Sequence, residues 1–352
     1  MARMRMLVLL LVAAATFAQE SDLYDIRVAK IADGVYVASR PDPLRSYVEG
    51  NVTIIVNDRD VVVVDASGSP RAARKVISEI RKLTPNPVRY VVHTHIHRDH
   101  RWGAQEYVKQ FPGVEIVAHP IVRDIVARSG NTFVTDTIKR LESRRTETAE
   151  EIKRLEAAGN TKVAAALRRY LEVDLPVILE EYKTIENLPP SVTFNDKLTL
   201  HRGGRTIDLL FLGRGDTDHD VVVHLPREQV VIAGDMVVHP FPYGFSTQPA
   251  EWIATMKKLA ALDFQYLVPG HGDVQQGKTY LSAVIELVES VQSQVKTAVT
   301  SGKTVEETRN AVDLTRFEKA MAGDDPITRY YFHEYFAKPA VAEAFKELSE
   351  KR

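Results

Sequence analysis

Cysteine is absent from all 352 residues. That excludes disulfides, thiolate zinc sites, iron–sulfur clusters and cysteine nucleophiles, so any metal must sit on His, Asp or Glu. An excess of one charge is lacking as well. The 46 Lys and Arg face 47 Asp and Glu, and a net charge of −1 argues against a nucleic-acid partner. Beyond the amino terminus no apolar run approaches the roughly 20 residues that span a bilayer, so no integral membrane span is expected. A hydrophobic share of 44% with 26% charged residues is that of a folded globular chain, not a disordered or collagenous one. The length suffices to bury a large core without disulfides.

What is present begins with Arg3 and Arg5, a short apolar run from Leu7 to Ala15, and Thr16-Phe17-Ala18. This order is that of a secretory signal peptide over residues 1–18, and it predicts a periplasmic or secreted protein. A retained amino-terminal anchor is the alternative use of the same residues. Cleavage after Ala18 removes two arginines and no acid, leaving a mildly acidic chain.

From Ile26 to Asp65 the runs IRVAKI, GVYVAS, VTIIV and VVVVD are rich in β-branched residues and separated by turn residues, which predicts a sheet of hairpins. Ser69-Pro70 starts a helix whose Ala72, Val76, Ile77 and Ile80 share one face. VRYVV, a helix over 103–111 and VEIVA then give strand–helix alternation, the pattern of an α/β layered fold. Between about 136 and 185 charged sequence at three- and four-residue spacing predicts an inserted helical hairpin, either a solvated structural insertion or a lid. SVTF, KLTLH, TIDLLFL, VVVHL and QVVIAGD open a second α/β half, and helices dominate from Trp252 onward.

The densest chemistry is His95-Ile96-His97-Arg98-Asp99-His100, at the end of a buried strand. Residues i and i+2 of an extended chain project to one side, so His95 and His97 can share one cation while a turn directs Asp99 and His100 to a second. Crowded imidazoles and a carboxylate at a strand end are costly to bury without a cation. His93, earlier in the same strand, reads as a structural histidine. Arg98, Arg101 and Arg214 flank the motifs and offer guanidinium forks to an anionic substrate group or to neighbouring carboxylates. His239-Pro240-Phe241-Pro242-Tyr243-Gly244-Phe245 is either an aromatic pocket wall, with Tyr243 touching substrate, or a proline-braced connection.

HTHIHRDH resembles the HxHxDH signature of the metallo-β-lactamase fold superfamily. VVVVDAS, QVVIAGDM and Val268-Pro269-Gly270-His271-Gly272 resemble further motifs of that family in its order. The resemblance covers roughly residues 26–275. It implies a four-layer αββα sandwich over residues 22–275, with the helical insertion inside it and a helical extension over 276–352. It further implies that His95 and His97 bind one metal, Asp99, His100 and His271 a second, and that Asp235 bridges them.

One position departs from the pattern. Gly213-Arg214-Gly215-Asp216-Thr217-Asp218-His219-Asp220 places Asp216 where the family has a third histidine. Three readings stand: Asp216 ligates, His219 swings in through a bulge, or the first site is weak and the enzyme mononuclear. Two zinc ions are expected, with iron or manganese as alternatives favoured by a carboxylate ligand. The implied activity is hydrolysis of a small-molecule ester, lactone, amide or β-lactam by metal-activated water, with Asp99 orienting that water or moving a proton. A mononuclear iron oxidoreductase and a metal-binding homologue without catalysis are the other readings. Oligomeric state is not legible.

Overall fold

The computed structural model describes residues 22–41, 48–246 and 248–350. The expected signal peptide lies outside them. Among the described residues the strands form two sheets. In the first, β1 (Arg27–Ala32), β2 (Val35–Ser39), β3 (Val52–Val56), β4 (Val61–Val64), β5 (Val88–Val92), β6 (Glu115–Ala118) and β7 (Val192–Thr193) lie side by side in chain order. β1 to β4 are antiparallel, and β4 to β7 are parallel. The β3–β4 turn closes as its residue types dictate: the Asn57 amide donates to the Asp60 carbonyl at 2.8 Å and its side chain to Asp60 Oδ1 at 3.0 Å.

The second sheet holds β8 (Lys197–Arg202), β9 (Arg205–Phe211), β10 (Val221–Leu225), β11 (Val230–Gly234), β12 (Tyr266–Pro269) and β13 (Gln275–Gln276), again in chain order from one edge to the other. Only β11 and β12 are parallel. Because side chains alternate across a strand, each valine-rich strand serves two cores. Val62 and Val64 face the second sheet and meet Val221, Val223, Val230 and Ile232, while Val61 and Val63 face outward.

Helices cover both outer faces. On the first sheet lie α1 (Pro70–Leu83), the single turn α2 (Arg98–Arg101) and α3 (Ala104–Gln110). Ser69 caps α1 by accepting from the Ala72 amide at 3.2 Å, with Pro70 in the first turn where no amide is needed. Ala73, Val76, Ile77 and Ile80 pack on β3, β4 and β5. The result is the αββα order expected from the motifs.

Two expectations about boundaries are corrected. The helical insertion begins at the end of β6, not near 136: α4 (Pro120–Ser129), α5 (Thr132–Ala157), α6 (Thr161–Arg169), a π turn at Tyr170–Asp174 and α7 (Leu175–Tyr182) precede β7. The charge run that marked the insertion starts only in α5, whereas α4 is short and less polar. SVTF contains β7 and pairs with β6, so it closes the first sheet instead of opening the second half.

The expected carboxyl-terminal helical extension is present and is packed into the fold. α8 (Pro249–Ala261) and α9 (Thr279–Thr300) supply the outer layer of the second sheet, where Trp252, Met256, Leu281, Val284, Leu287 and Val288 share one core with Val222, Val231 and Ala233. Beyond them come α10 (Val305–Ala311), α11 (Thr315–Ala322), α12 (Pro326–Tyr331), a π turn at Phe332–Ala337 and α13 (Lys338–Glu350). Ile327 and Tyr330 pack on Leu167 and Ile152 of the insertion, and the Tyr330 hydroxyl donates to Glu151 at 3.4 Å. No helix among the described residues is long and apolar enough to cross a membrane.

Candidate metal centre

The carboxyl ends of β4, β5, β11 and β12 run into four loops that meet at one edge of the sandwich. Asp65 and Ser67 follow β4 with φ of 64° and 68°, left-handed backbone that side-chain-bearing residues adopt at a cost. The Asp65 carboxylate accepts from the Thr94 amide at 2.8 Å and hydroxyl at 2.9 Å, and faces His100 Nδ1 at 2.7 Å. These bonds tie the loop after β4 to the loop after β5.

The same bonds set the imidazole tautomers. His100 Nδ1–H donates to Asp65, and His271 Nδ1–H donates to the Glu49 carbonyl at 2.9 Å. With the Thr94 hydroxyl donating to Asp65, His95 Nδ1–H donates to the Thr94 oxygen at 2.9 Å. All three rings thus point Nε2 into the site, the atom through which a deprotonated imidazole binds a metal.

Two groups of ligand atoms result, each gathered within 4.8 Å: His95, His97, Asp216 and Asp235, and then Asp99, His100, Asp235 and His271. Asp235 belongs to both. Its Oδ2 lies 3.6 Å from His95 Nε2 and 3.9 Å from His97 Nδ1; its Oδ1 lies 3.1 Å from His100 Nε2 and 3.3 Å from His271 Nε2. Asp216 Oδ2 sits 3.4 Å from His97 Nδ1, and Asp99 Oδ2 3.1 Å from His271 Nε2. The side chains are buried except that of His97, which is 42% exposed and marks the open side of the site.

Electrostatics and unmet bonds both fit a cation. His95 Nε2, both oxygens of Asp216 and Oδ1 of Asp235 are buried with no hydrogen-bond partner, although an unpaired buried carboxylate costs several kcal/mol. Burial pushes Asp216 up to about 7 and His95 down to about 3. Burial also opposes charge on His100 and His271, but Asp235 overrides it, lifting His271 to about 9 and His100 well above its ordinary value. Protons thus neutralise the carboxylates where a divalent cation would displace them. The all nitrogen-and-oxygen donor set suits zinc, manganese or iron.

The structure brings together every residue expected to ligate: His95, His97, Asp99, His100, Asp216, Asp235 and His271. His219 lies outside both groups, its ring 6.5 Å from that of His119 and both nitrogens without a partner. His93, the first residue past β5, is buried. Of the arginines, Arg98 Nε donates to the Tyr182 hydroxyl at 3.2 Å beside the site. Arg101 is structural, bonding the Ile96 carbonyl at 2.6 Å and Asn187. Arg214 takes the carboxylate pairing that was one of its two expected roles, lying 3.7 Å from Asp218, four residues away, and 3.4 Å from Glu251. Tyr243 is buried with its ring 5.4 Å from that of His271, and burial beside Asp235 holds its hydroxyl protonated.

Sequence reading missed Asn51, Glu49 and Thr94. The Asn51 side chain donates to the carbonyls of Pro269 and Gly272 at 2.9 and 2.8 Å, holding the His271 loop to the first sheet across more than 200 residues of chain. Only Thr94, lodged inside the histidine motif, carried a signal. Gly270 is required by space, because a Cβ there would strike Asp235 Oδ1 and lie 2.8 Å from the Asp235 amide nitrogen. Asp65→Ala is expected to weaken metal binding about 10- to 100-fold, since it removes the acceptor that orients His100. Competition with a chelator measures it, and an unchanged affinity would assign that role elsewhere.

Two adjoining His/carboxylate groups with a shared aspartate, at the loop edge of an αββα sandwich, define a metal-binding α/β protein. Residues 46–271 match the metallo-beta-lactamase superfamily, and the chain belongs to it. It is 25% identical over 288 residues to a linear primary-alkylsulfatase of Pseudomonas sp., covering 77% of this chain and 51% of that protein. Among solved structures it resembles the stereoselective inverting sec-alkylsulfatase Pisa1 from Pseudomonas sp., with a TM-score of 0.67 and 15% identity over 92% of this chain and 50% of that one. A metallo-beta-lactamase from Pontibacter korlensis gives 0.52 and 18% identity over 75% and 99%. The chain spans about half the length of the alkylsulfatases it matches.

Proposed function

We propose that the protein is an exported metal-dependent hydrolase of a small ester, with a sulfate ester as the first class to test. The observation that carries the reading is Asp235, whose two oxygens face two complete ligand groups. Similarity to alkylsulfatases in sequence and in fold supports the sulfate ester over a lactam or lactone. We expect zinc in both groups. Bound divalent cations supply Lewis acidity and lower the pKa of a coordinated water toward about 7.

The chain's own residues do the rest. Asp99, 3.1 Å from His271, orients the attacking water and accepts its proton. Asp235 keeps the two groups in register, and His97 opens the centre to substrate. Arg98, held by Tyr182 on the insertion, offers its guanidinium to the anionic ester group. As the ester bond breaks, water is divided between the products: its oxygen joins the centre attacked and its proton is released with the leaving group.

Export rests on residues 1–18 and is read directly by comparing the amino terminus of mature protein with Ala18. The mononuclear iron reading leaves the second group without a task. The reading without catalysis is separated by Asp216. Asp216→Ala is expected to release one metal equivalent and lower nitrophenyl sulfate turnover at least about 100-fold. Asp216→His keeps both metals and changes rate within about tenfold. Wild-type protein loaded with two metals yet inert toward sulfate esters, carboxylic esters, lactones and β-lactams would overturn the hydrolase reading.

A further inference from the structure

Phe245 is a large apolar side chain left 48% exposed, and the other exposed large hydrophobics among the described residues are aliphatic and lie on other elements. It does not stand alone. Its ring lies 6.2 Å from that of Tyr243 and 6.3 Å from that of Tyr335, distances of aromatic contact. Tyr335 meets Tyr243 edge-on at 5.6 Å and Tyr331 at 4.9 Å, and Tyr243 reaches His271 at 5.4 Å. A continuous aromatic track therefore runs from solvent at Phe245 to a candidate metal ligand.

Two distant parts of the chain build this track. Tyr243 and Phe245 follow β11, whereas Tyr331 and Tyr335 come from α12 and the carboxyl-terminal π turn. The Gly244 amide donates to the Tyr335 carbonyl at 2.7 Å and locks the two together. The approach is close: a Cβ on Gly244 would lie 2.5 Å from the Phe336 carbonyl oxygen and 2.8 Å from Ala340 Cβ. A π turn inside a helical run re-aims its side chains, and such turns occur at functional sites.

We propose that Tyr335 and Phe245 determine specificity by receiving the apolar part of the substrate, the alkyl or aryl group that is carried along and not hydrolysed. This rests on the hydrolase reading above and extends it to an amphiphilic ester. Continuity with the metal centre argues for substrate over another protein, because an occupant of the exposed end is led toward His271. Aromatic rings accept apolar groups of varied shape with little entropy cost.

The test is binding of a non-hydrolysable series, butyl to dodecyl sulfonate, to the full-length metal-loaded protein by calorimetry. In wild type each added methylene is expected to tighten binding about fourfold until the track is filled. Phe245→Ala and Tyr335→Ala flatten that dependence on chain length, and Tyr335→Phe preserves it because the ring makes the contact. Phe245→Ala removes an exposed side chain, so it decides the matter even if Tyr335→Ala fails to fold. No chain-length dependence in wild type, or an undiminished one in both alanine variants, overturns the proposal. So does a change of oligomeric state in Phe245→Ala, which would make the track a surface for a second copy. Ester hydrolysis without chain-length dependence would sink this inference alone, whereas chain-length dependence without any hydrolysis would sink the function.

Discussion

Asp235→Ala is expected to empty both metal groups at once and to lower turnover by about 1,000-fold or more. Other ligands belong to one group each; Asp235 gives Oδ2 to the first and Oδ1 to the second. Its removal also leaves His100 and His271 without the carboxylate that lies 3.1 and 3.3 Å from them. The loss of several kcal/mol of transition-state stabilisation that accompanies metal loss corresponds to that rate factor. Elemental analysis with kinetics on one sample checks it. Retention of one full metal equivalent would show that the groups are independent and that Asp235 does not couple them.

A chain ending at residue 275, the boundary drawn from the motifs, is expected not to fold. Such a chain retains every candidate ligand, so a view based on motifs alone predicts a competent domain. The packing says otherwise. Leu281, Val284, Leu287, Val288, Val291 and Val295 of α9 are buried against the second sheet and α8. At about 1.5–3 kcal/mol for each buried side chain, their loss is on the order of 10 kcal/mol, as large as the whole stability of an ordinary domain. Expression of residues 22–275 should give insoluble or molten protein, read by circular dichroism and tryptophan fluorescence. A soluble product with a cooperative thermal transition would restore the boundary at 275.

That boundary shows where sequence reading stops. The strands were legible because valine and isoleucine run nearly unbroken through them, and the ligands because four donor side chains crowd residues 95–100. Asp216 was legible by register, and the structure places it with His97. The remainder depends on long-range contacts that leave no local pattern. The grip of Asn51 on the His271 loop and the meeting of Tyr335 with Gly244 join positions far apart in the chain. Arg214 left two roles open in the sequence for the same reason: its neighbours in the motif are chemical, while Glu251, its partner beside Asp218, lies on another element.

The shared edge of the two sheets has a consequence for how such a chain can change. The strands β5, β10, β11 and β12 are built mainly of aliphatic residues and carry no ligand, whereas the loops at their ends carry the reactive side chains. Cohesion and chemistry are thus written in separate letters of the sequence. A replacement such as Asp216 for histidine alters the character of the centre without disturbing a single core valine, and the aromatic mouth can be rewritten just as independently. The molecule is a fixed frame holding interchangeable parts, and new substrates are reached by editing the rim.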